Sequence, residues 1–333
     1  MIRYVIRRLL LLVVLLGVVS FLTFSIFFAV PKFTGQKTAV LFAGKSPTPA
    51  AVADVEKKLG LDDPFLVQYG NFMKGIFVGR DFVSGAGTEH CPTPCFGYSF
   101  VNDRPVWDEL KEAMPVTFSL AIGAAILWLI AGVSVGIVSA LKKRSWFDRL
   151  SMGIALAGVS LPIYFTGLVL LKLFSYQWHL FENVHYAPFT DNPITWASNL
   201  ILPWVALAFL YAALYARLTR SGMLETMGED YIRTARAKGL KESRVIGRHG
   251  LRAALTPILT IFGLDVGGLL GGAILTEYTF GFPGIGKMSV DGVFRRDLPV
   301  ILGVTLFAAF FILLANLIVD VLYAVVDPRV RYT

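Results

Sequence analysis

Two carboxylates and a pair of thiols are the side chains of this sequence whose types could do chemistry. Asp265 stands in TIFGLDVGGLLGGAIL, a stretch with no other charge. A carboxylate in such surroundings is costly and normally faces protein or water. It could line a path and meet a positively charged group. It could equally be a buried acid, protonated or paired with another subunit. Glu277 follows that stretch and precedes GFPGIG, Gly281–Gly286. Gly and Pro at this density mark a tight or re-entrant loop, suited to an outer gate, a docking surface or simply a rigid turn. The third group is EHCPTPC, Glu89–Cys95, which holds both cysteines of the chain. Cys91 and Cys95 can form a disulfide in an oxidising compartment. They can also remain free thiols. With His90 they could touch a metal, although three ligands in one short loop make a poor zinc site, and no metal is expected. No nucleophile, base and metal stand together in a catalytic pattern, so the chain reads as a non-enzyme.

The elements that carry these residues are set by composition. Of 333 residues, 55% are hydrophobic and only 16% charged, and the mean hydropathy is +0.64. Soluble domains carry about 25% charged residues. The apolar residues gather in runs near the ~20 residues needed to cross a bilayer. The expected fold is therefore an all-α polytopic membrane protein. Six transmembrane helices are expected, near Leu9–Val30, Val116–Leu141, Leu150–Leu173, Leu200–Ala216, Pro257–Leu275 and Pro299–Val326. The first run is longer than the core of a cleaved signal peptide and reads as a retained anchor over residues 1–30.

The net charge of +8 does not point to nucleic acid, because the basic residues sit in short segments between apolar runs. Residues 217–252 carry nine Lys/Arg against four Asp/Glu, whereas residues 31–112 carry nine against ten. By the positive-inside rule both termini fall in the cytoplasm, and an extended extracytoplasmic region, residues 31–113, lies between helices 1 and 2. Residues 114–326 form a core of five spans with a cytoplasmic loop at 217–255, and residues 327–333 form a cytoplasmic tail. Asp63-Pro64 starts an outer helix expected to lie on the membrane surface. Gly263, Gly267 and Gly271 have the small-xxx-small spacing of a close helix contact, expected with a second subunit.

The cytoplasmic loop contains DYIRTARAKGLKESRVIGRHGL, Asp230–Leu251. Asp230 can cap a helix start, Gly239 suits the left-handed residue past its end, and Arg236 and Lys238 sit where the helix dipole favours cations. Glu229 and Arg233 are spaced for an ion pair. A helix of about eight residues does not stand alone in water. It must lie on a surface, either its own protein's or a partner's.

This segment resembles the cytoplasmic EAA motif of importer-type ABC permeases, with Arg233-Thr234-Ala235 in the Glu-Ala-Ala place and Gly239 four residues after Ala235. RTARAKGL looks like the variant of the dipeptide/oligopeptide/nickel permease family, with Lys241 where that family has a capping Ser. LGLDDPFLVQY, GYSF with RPVWDEL, RLTRSGMLE, FPGIGKMSVDGVFRRDLPVILG and NLIVDVLYAVVDPRVRY extend the resemblance over nearly the whole chain and specify the B-type subunit. Against that family, residues 83–95 look like an insertion. The resemblance implies a type I importer fold and half of a transmembrane path for peptides. Nickel chelates, glutathione or oligosaccharides are alternative cargoes. It implies a C-type permease as heterodimer partner, two ATP-binding subunits holding ATP and Mg, and an extracytoplasmic substrate-binding protein. No cofactor is implied on this chain, which lacks a GxxxxGK[ST] phosphate loop. Asp230, Tyr231, Arg233, Thr234, Ala235, Arg236, Lys238 and Gly239 become the ATPase-coupling helix, and Asp265 and Glu277 become candidates for the translocation path. A stand-alone channel or secondary transporter is the rival class, and it has no use for a coupling segment.

Overall fold

Hydrocarbon offers the backbone no hydrogen-bond partner, so long apolar segments must be helical. The computed structural model describes residues 2–29, 39–40, 48–59, 61–84, 87–99, 101–181 and 184–326, and is predominantly helical. The end of the first run at Val30 and the tail at 327–333 lie outside these residues. In order, the elements are α1 (Ile2–Phe28), α2 (Pro49–Leu59), α3 (Phe65–Val78), the strands β1 (Arg80–Ser84), β2 (Gly87–Cys91), β3 (Tyr98–Ser99) and β4 (Arg104–Pro105), and α4 (Val106–Leu141). Then come α5 (Trp146–Ser160), α6 (Ile163–Gln177), α7 (Pro193–Thr226), α8 (Asp230–Ala237) and α9 (Glu242–Leu270). The last are α10 (Ile274–Phe280), α11 (Ile285–Arg295) and α12 (Leu298–Val326).

Among the described residues five helices, α1, α4, α7, α9 and α12, are long and apolar enough to cross a membrane. The third expected span, Leu150–Leu173, is not one straight helix. Pro162 interrupts it, and α5 and α6 meet at a bend of 106°. The count is therefore five, or six with the bent pair taken as one crossing.

The chain forms two compact units, one of Met1–Thr117, Leu270–Glu277 and Pro283–Leu317, the other of Phe118–Leu269, Tyr278–Phe282 and Ile318–Thr333. In the first, α3 starts after Pro64, and Gln68 Nε2 donates to the Leu61 and Asp63 carbonyls at 3.0 and 2.7 Å. α3 packs on the second half of α1. Phe24 meets Phe65, Tyr69 and Phe72, and the Ser20 and Tyr69 hydroxyls are 2.7 Å apart. β1 and β2 form a hairpin, and Cys91 and Cys95 are joined by a disulfide that is buried with Phe82 and Tyr98. His90 is exposed and lies 2.6 Å from Asp81. Among the described residues no three His, Cys, Asp or Glu could hold a metal. The second span begins well ahead of Val116: α4 runs 36 residues from Val106 through Pro115.

In the second unit, glycines bring α4, α5 and α7 together. A Cβ at Gly132 would lie 2.7 Å from Tyr215 Cβ, one at Gly136 2.5 Å from Thr219 Cβ, and one at Gly158 2.9 Å from Ala213 Cβ. Gly268 of α9 has open space within 4 Å of its Cβ position in this chain. Where α4, α5 and α7 converge, Asp148 is buried. Arg220 grips it with two bonds, Nε to Oδ1 at 2.6 Å and Nη2 to Oδ2 at 2.9 Å. The Ser139 hydroxyl and the Arg144 backbone N–H also donate to it. Every lone pair with a neighbour is used, which makes a buried ion pair tolerable.

Removing one partner of such a pair typically costs about 3–5 kcal/mol because the other charge is stranded. Arg220→Met is therefore expected to lower the melting temperature in detergent more than the double change Asp148→Leu/Arg220→Met. Equal or greater loss in the double variant would show that the pair itself, rather than the stranded charge, carries the stability.

Candidate functional site

The helix α8 forms because a short segment of opposite faces has something to lie on. Ile232 and Ala235 are buried with Val245, flanked by Met227 and Leu240. The helix begins at Asp230, and the residue before it, Glu229, makes no side-chain cap bond, so the cap expected of Asp230 is not formed. Past the end, Gly239 has φ +74°, the left-handed conformation expected of it, and its N–H donates to the Arg236 carbonyl at 2.9 Å. Lys241, where a capping Ser was the family pattern, makes no side-chain cap bond.

Ala235 therefore faces its own protein. Asp230, Tyr231, Arg233, Thr234, Arg236, Lys238 and Gly239 are exposed. Arg233 pairs with Asp230 at 3.3 Å, not with Glu229 as the spacing suggested. Arg236 makes two bonds to Glu242, at 3.1 and 2.6 Å. The residues that seat the helix, Ile232, Val245 and Glu242, were missed at the level of sequence. Ile232 and Ala235, three apart, were the available signal. Next to the helix, Met223, Leu224 and Met227 pack with Ala140 and Ala254, while Tyr231 is exposed.

Asp265 is half-buried in α9. Tyr215 Oη donates to its Oδ2 at 2.7 Å. Tyr215 belongs to an aromatic group in which Trp128 stacks on Tyr211 with centroids 4.5 Å apart and meets Phe262 edge-on. The buried Trp128 Nε1 has no hydrogen-bond partner among the described residues.

Glu277 is placed differently. It has no exposed surface. Thr117 Oγ1 and the Ala273 N–H donate to Oε1 at 2.7 and 3.2 Å, and the Lys287 N–H donates to Oε2 at 2.9 Å. A Cβ at Gly284 would lie 2.3 Å from the Glu277 carboxyl carbon. The side chain ties the GFPGIG loop to α4 and α11, and this burial supports the rigid-turn reading of the segment. Burial pushes its carboxyl above the ordinary range, opposed by the Lys287 N–H and then Thr117. A second acid, Asp297, is buried just before α12 and accepts from Ser99.

Residues 132–332 match the family model described as "Binding-protein-dependent transport system inner membrane component", and residues 1–121 match the model of its N-terminal part. The chain belongs to this family. It is 40% identical to the dipeptide transport system permease protein DppB of Alkalihalophilus pseudofirmus, with all of both chains covered. It is 37% identical to the protein of the same name of Escherichia coli K12, covering 100% of this chain and 99% of the relative. Its fold is similar to a chain of the MetNI methionine ABC transporter in an inward-facing conformation, with TM-score 0.54, 15% identity, and 66% and 97% of the two chains covered. It is thus a multi-pass cell-membrane permease of the B type, a transport component rather than an enzyme, working with other ABC transporter subunits.

Burial, and then the nearby Glu109, raise Asp297 from an ordinary 3.8 to about 6, against the Ser99 hydrogen bond. Between these values the folded state holds more protons than the unfolded one, so stability falls as pH rises. The gain is full below 3.8 and is lost above about 6. Asp297→Asn does not titrate. Its melting temperature relative to the parent is therefore expected to rise from pH 4 to pH 7 by thermal denaturation in detergent, and a constant difference would refute this assignment.

Proposed function

We propose that this permease forms half of the transmembrane path of an ABC importer for peptides. The observation that carries the reading is identity of 37–40% along the entire chain to two permeases named for dipeptide transport. A C-type permease supplies the other half of the path. Two ATP-binding subunits, carrying ATP and Mg, drive it from the cytoplasm, and an extracytoplasmic substrate-binding protein delivers cargo. The chain crosses six times, with α5 and α6 as one broken crossing. Both termini, the loop 217–255 and the tail 327–333 are cytoplasmic, and residues 31–113 are extracytoplasmic.

In this reading α8 is the coupling helix. Tyr231, Arg233, Thr234, Arg236 and Lys238 present the surface an ATP-binding subunit would grip. Ala235 and Gly239 act through α8 itself, Ala235 by seating it and Gly239 by ending it. A docked helix transmits force only if it is fixed to the body it moves, and the Ile232–Val245 contact supplies that fixation. Asp265, half-buried beside Tyr215, would meet the amino group of a passing peptide.

Three substitutions separate these roles. Arg233→Glu leaves folding intact and weakens the grip, so peptide uptake is expected to fall by at least about fivefold while ATP hydrolysis persists, a typical coupling free energy. Gly239→Pro cannot adopt φ +74° and removes the N–H to Arg236, so it is expected to uncouple as strongly. Normal ATP-driven uptake by both variants would mean that α8 serves only its own fold. Asp265→Asn is expected to lower uptake of lysine-containing dipeptides several-fold relative to glutamate-containing ones; an unchanged preference removes Asp265 from the path. Transport of labelled dipeptides by the reconstituted complex tests the cargo itself, and uptake of nickel chelates or oligosaccharides alone would replace it.

A further inference from the structure

The break between α5 and α6 falls within the membrane. α5 runs antiparallel to α7: Asp148 meets Arg220, and ten residues later Gly158 lies against Phe209 and Ala213. Ten residues of helix advance about 15 Å, half of a bilayer core of about 30 Å. Phe209 and Ala213 lie in the apolar middle of α7, well short of Trp196 and Trp204, whose indole N–H groups bond Ser119 near the start of its span. At this level the helix stops, the chain extends through Leu161 and Pro162, and α6 departs at 106°. α6 does not drift free, because Gly167 packs against Thr279 and Phe280.

The break leaves backbone acceptors without partners. Pro162 has no N–H, so the Gly158 carbonyl loses its i+4 donor. The Leu161 N–H goes to Ala157, and the Phe165 and Thr166 N–H groups both go to the Pro162 carbonyl. Among the described residues no hydrogen bond reaches the carbonyls of Gly158, Val159, Ser160 or Leu161. Nor is the segment covered, since Val159, Ser160, Leu161 and Pro162 are all exposed. Irregular backbone at membrane depth is not tolerated against lipid, where each unmet group costs several kcal/mol; it occurs buried in protein or beside water. A neighbouring span would have to bring several aligned donors to one point, and apolar spans are poor in donors. Water and a polar substrate are rich in them.

We propose that the Val159–Pro162 break lines the water-filled translocation path. Resting on the reading of this chain as a peptide permease, its freed carbonyls accept hydrogen bonds from the ammonium and amide N–H groups of the peptide in transit. The end of α5 suits this, because the carbonyl end of a helix is its negative pole. The path then has a backbone acceptor site from this chain, independent of any acidic side chain.

The test uses the assembled importer in proteoliposomes. Its chain has two cysteines, both in the disulfide, so Ser160→Cys and Leu161→Cys each introduce one reactive thiol. Val13→Cys, on the exposed apolar face of α1, is the lipid-facing control. Both break variants are expected to react with a charged methanethiosulfonate at least about tenfold faster than the control, as an aqueous position should. Alanylalanine is expected to slow that reaction. Rates no faster than the control would overturn the proposal, as would crosslinking of both positions to the sister permease in high yield. Fast labelling that alanylalanine leaves unchanged, in vesicles that still accumulate it, would overturn the carbonyl–peptide contact. Dipeptide uptake in the same vesicles reports on the cargo separately: fast labelling without uptake retires the peptide contact and the cargo while keeping the break in water.

Discussion

In hydrocarbon an unpaired backbone or side-chain polar group has nowhere to turn, and that constraint organises this chain. Long apolar segments become helices because the helix satisfies its own backbone. Close approach then needs small residues, and Gly132, Gly136 and Gly158 let α4, α5 and α7 meet at backbone distance. Polar groups inside must arrive with their partners. Asp148 has Arg220, Ser139 and the Arg144 N–H; Glu277 has Thr117 and two backbone N–H groups. For the backbone the rule is visibly broken at the exposed turn at Leu161–Pro162, and a departure from a strict rule is where function is sought.

The helix α8 obeys a related rule in water. It is too short to persist alone, and its stability comes from the apolar contacts of Ile232 and Ala235 with Val245. The side chains free to meet a partner are the polar ones on the opposite face. A segment with one face committed to its own protein and one open is suited to passing a displacement between two bodies.

The spans were legible because hydrophobic run length is a local property. So was the C-terminal end of α8, since Gly239 announces a positive φ through its lack of a Cβ. The break in the third span was legible in principle from Pro162, but an uninterrupted apolar run around it outweighed one proline. The glycine spacing drew attention to Gly263, Gly267 and Gly271, whereas the contacts inside this chain are made by Gly132 and Gly136, which have the same spacing. Spacing says that a helix can be approached, not by which helix. The partners of Asp148 and Glu277 could not be read, because Arg220 is 72 positions from one and Thr117 is 160 from the other. Neither separation leaves a local trace, and an acid in an apolar setting looks the same whether it faces a path or a knot.

That last separation also bears on the order of assembly. Glu277 draws on Thr117, made long before it, and on Lys287, made ten residues later. Gly284, which must pass against the carboxyl group, also lies downstream. A nascent chain that has reached Glu277 thus holds an acid whose site does not yet exist. The knot closes only after α11 has begun to leave the ribosome, and until then water must stand in for Lys287. The first unit is in this sense completed from its far end, by a segment synthesised after most of the second unit is already made.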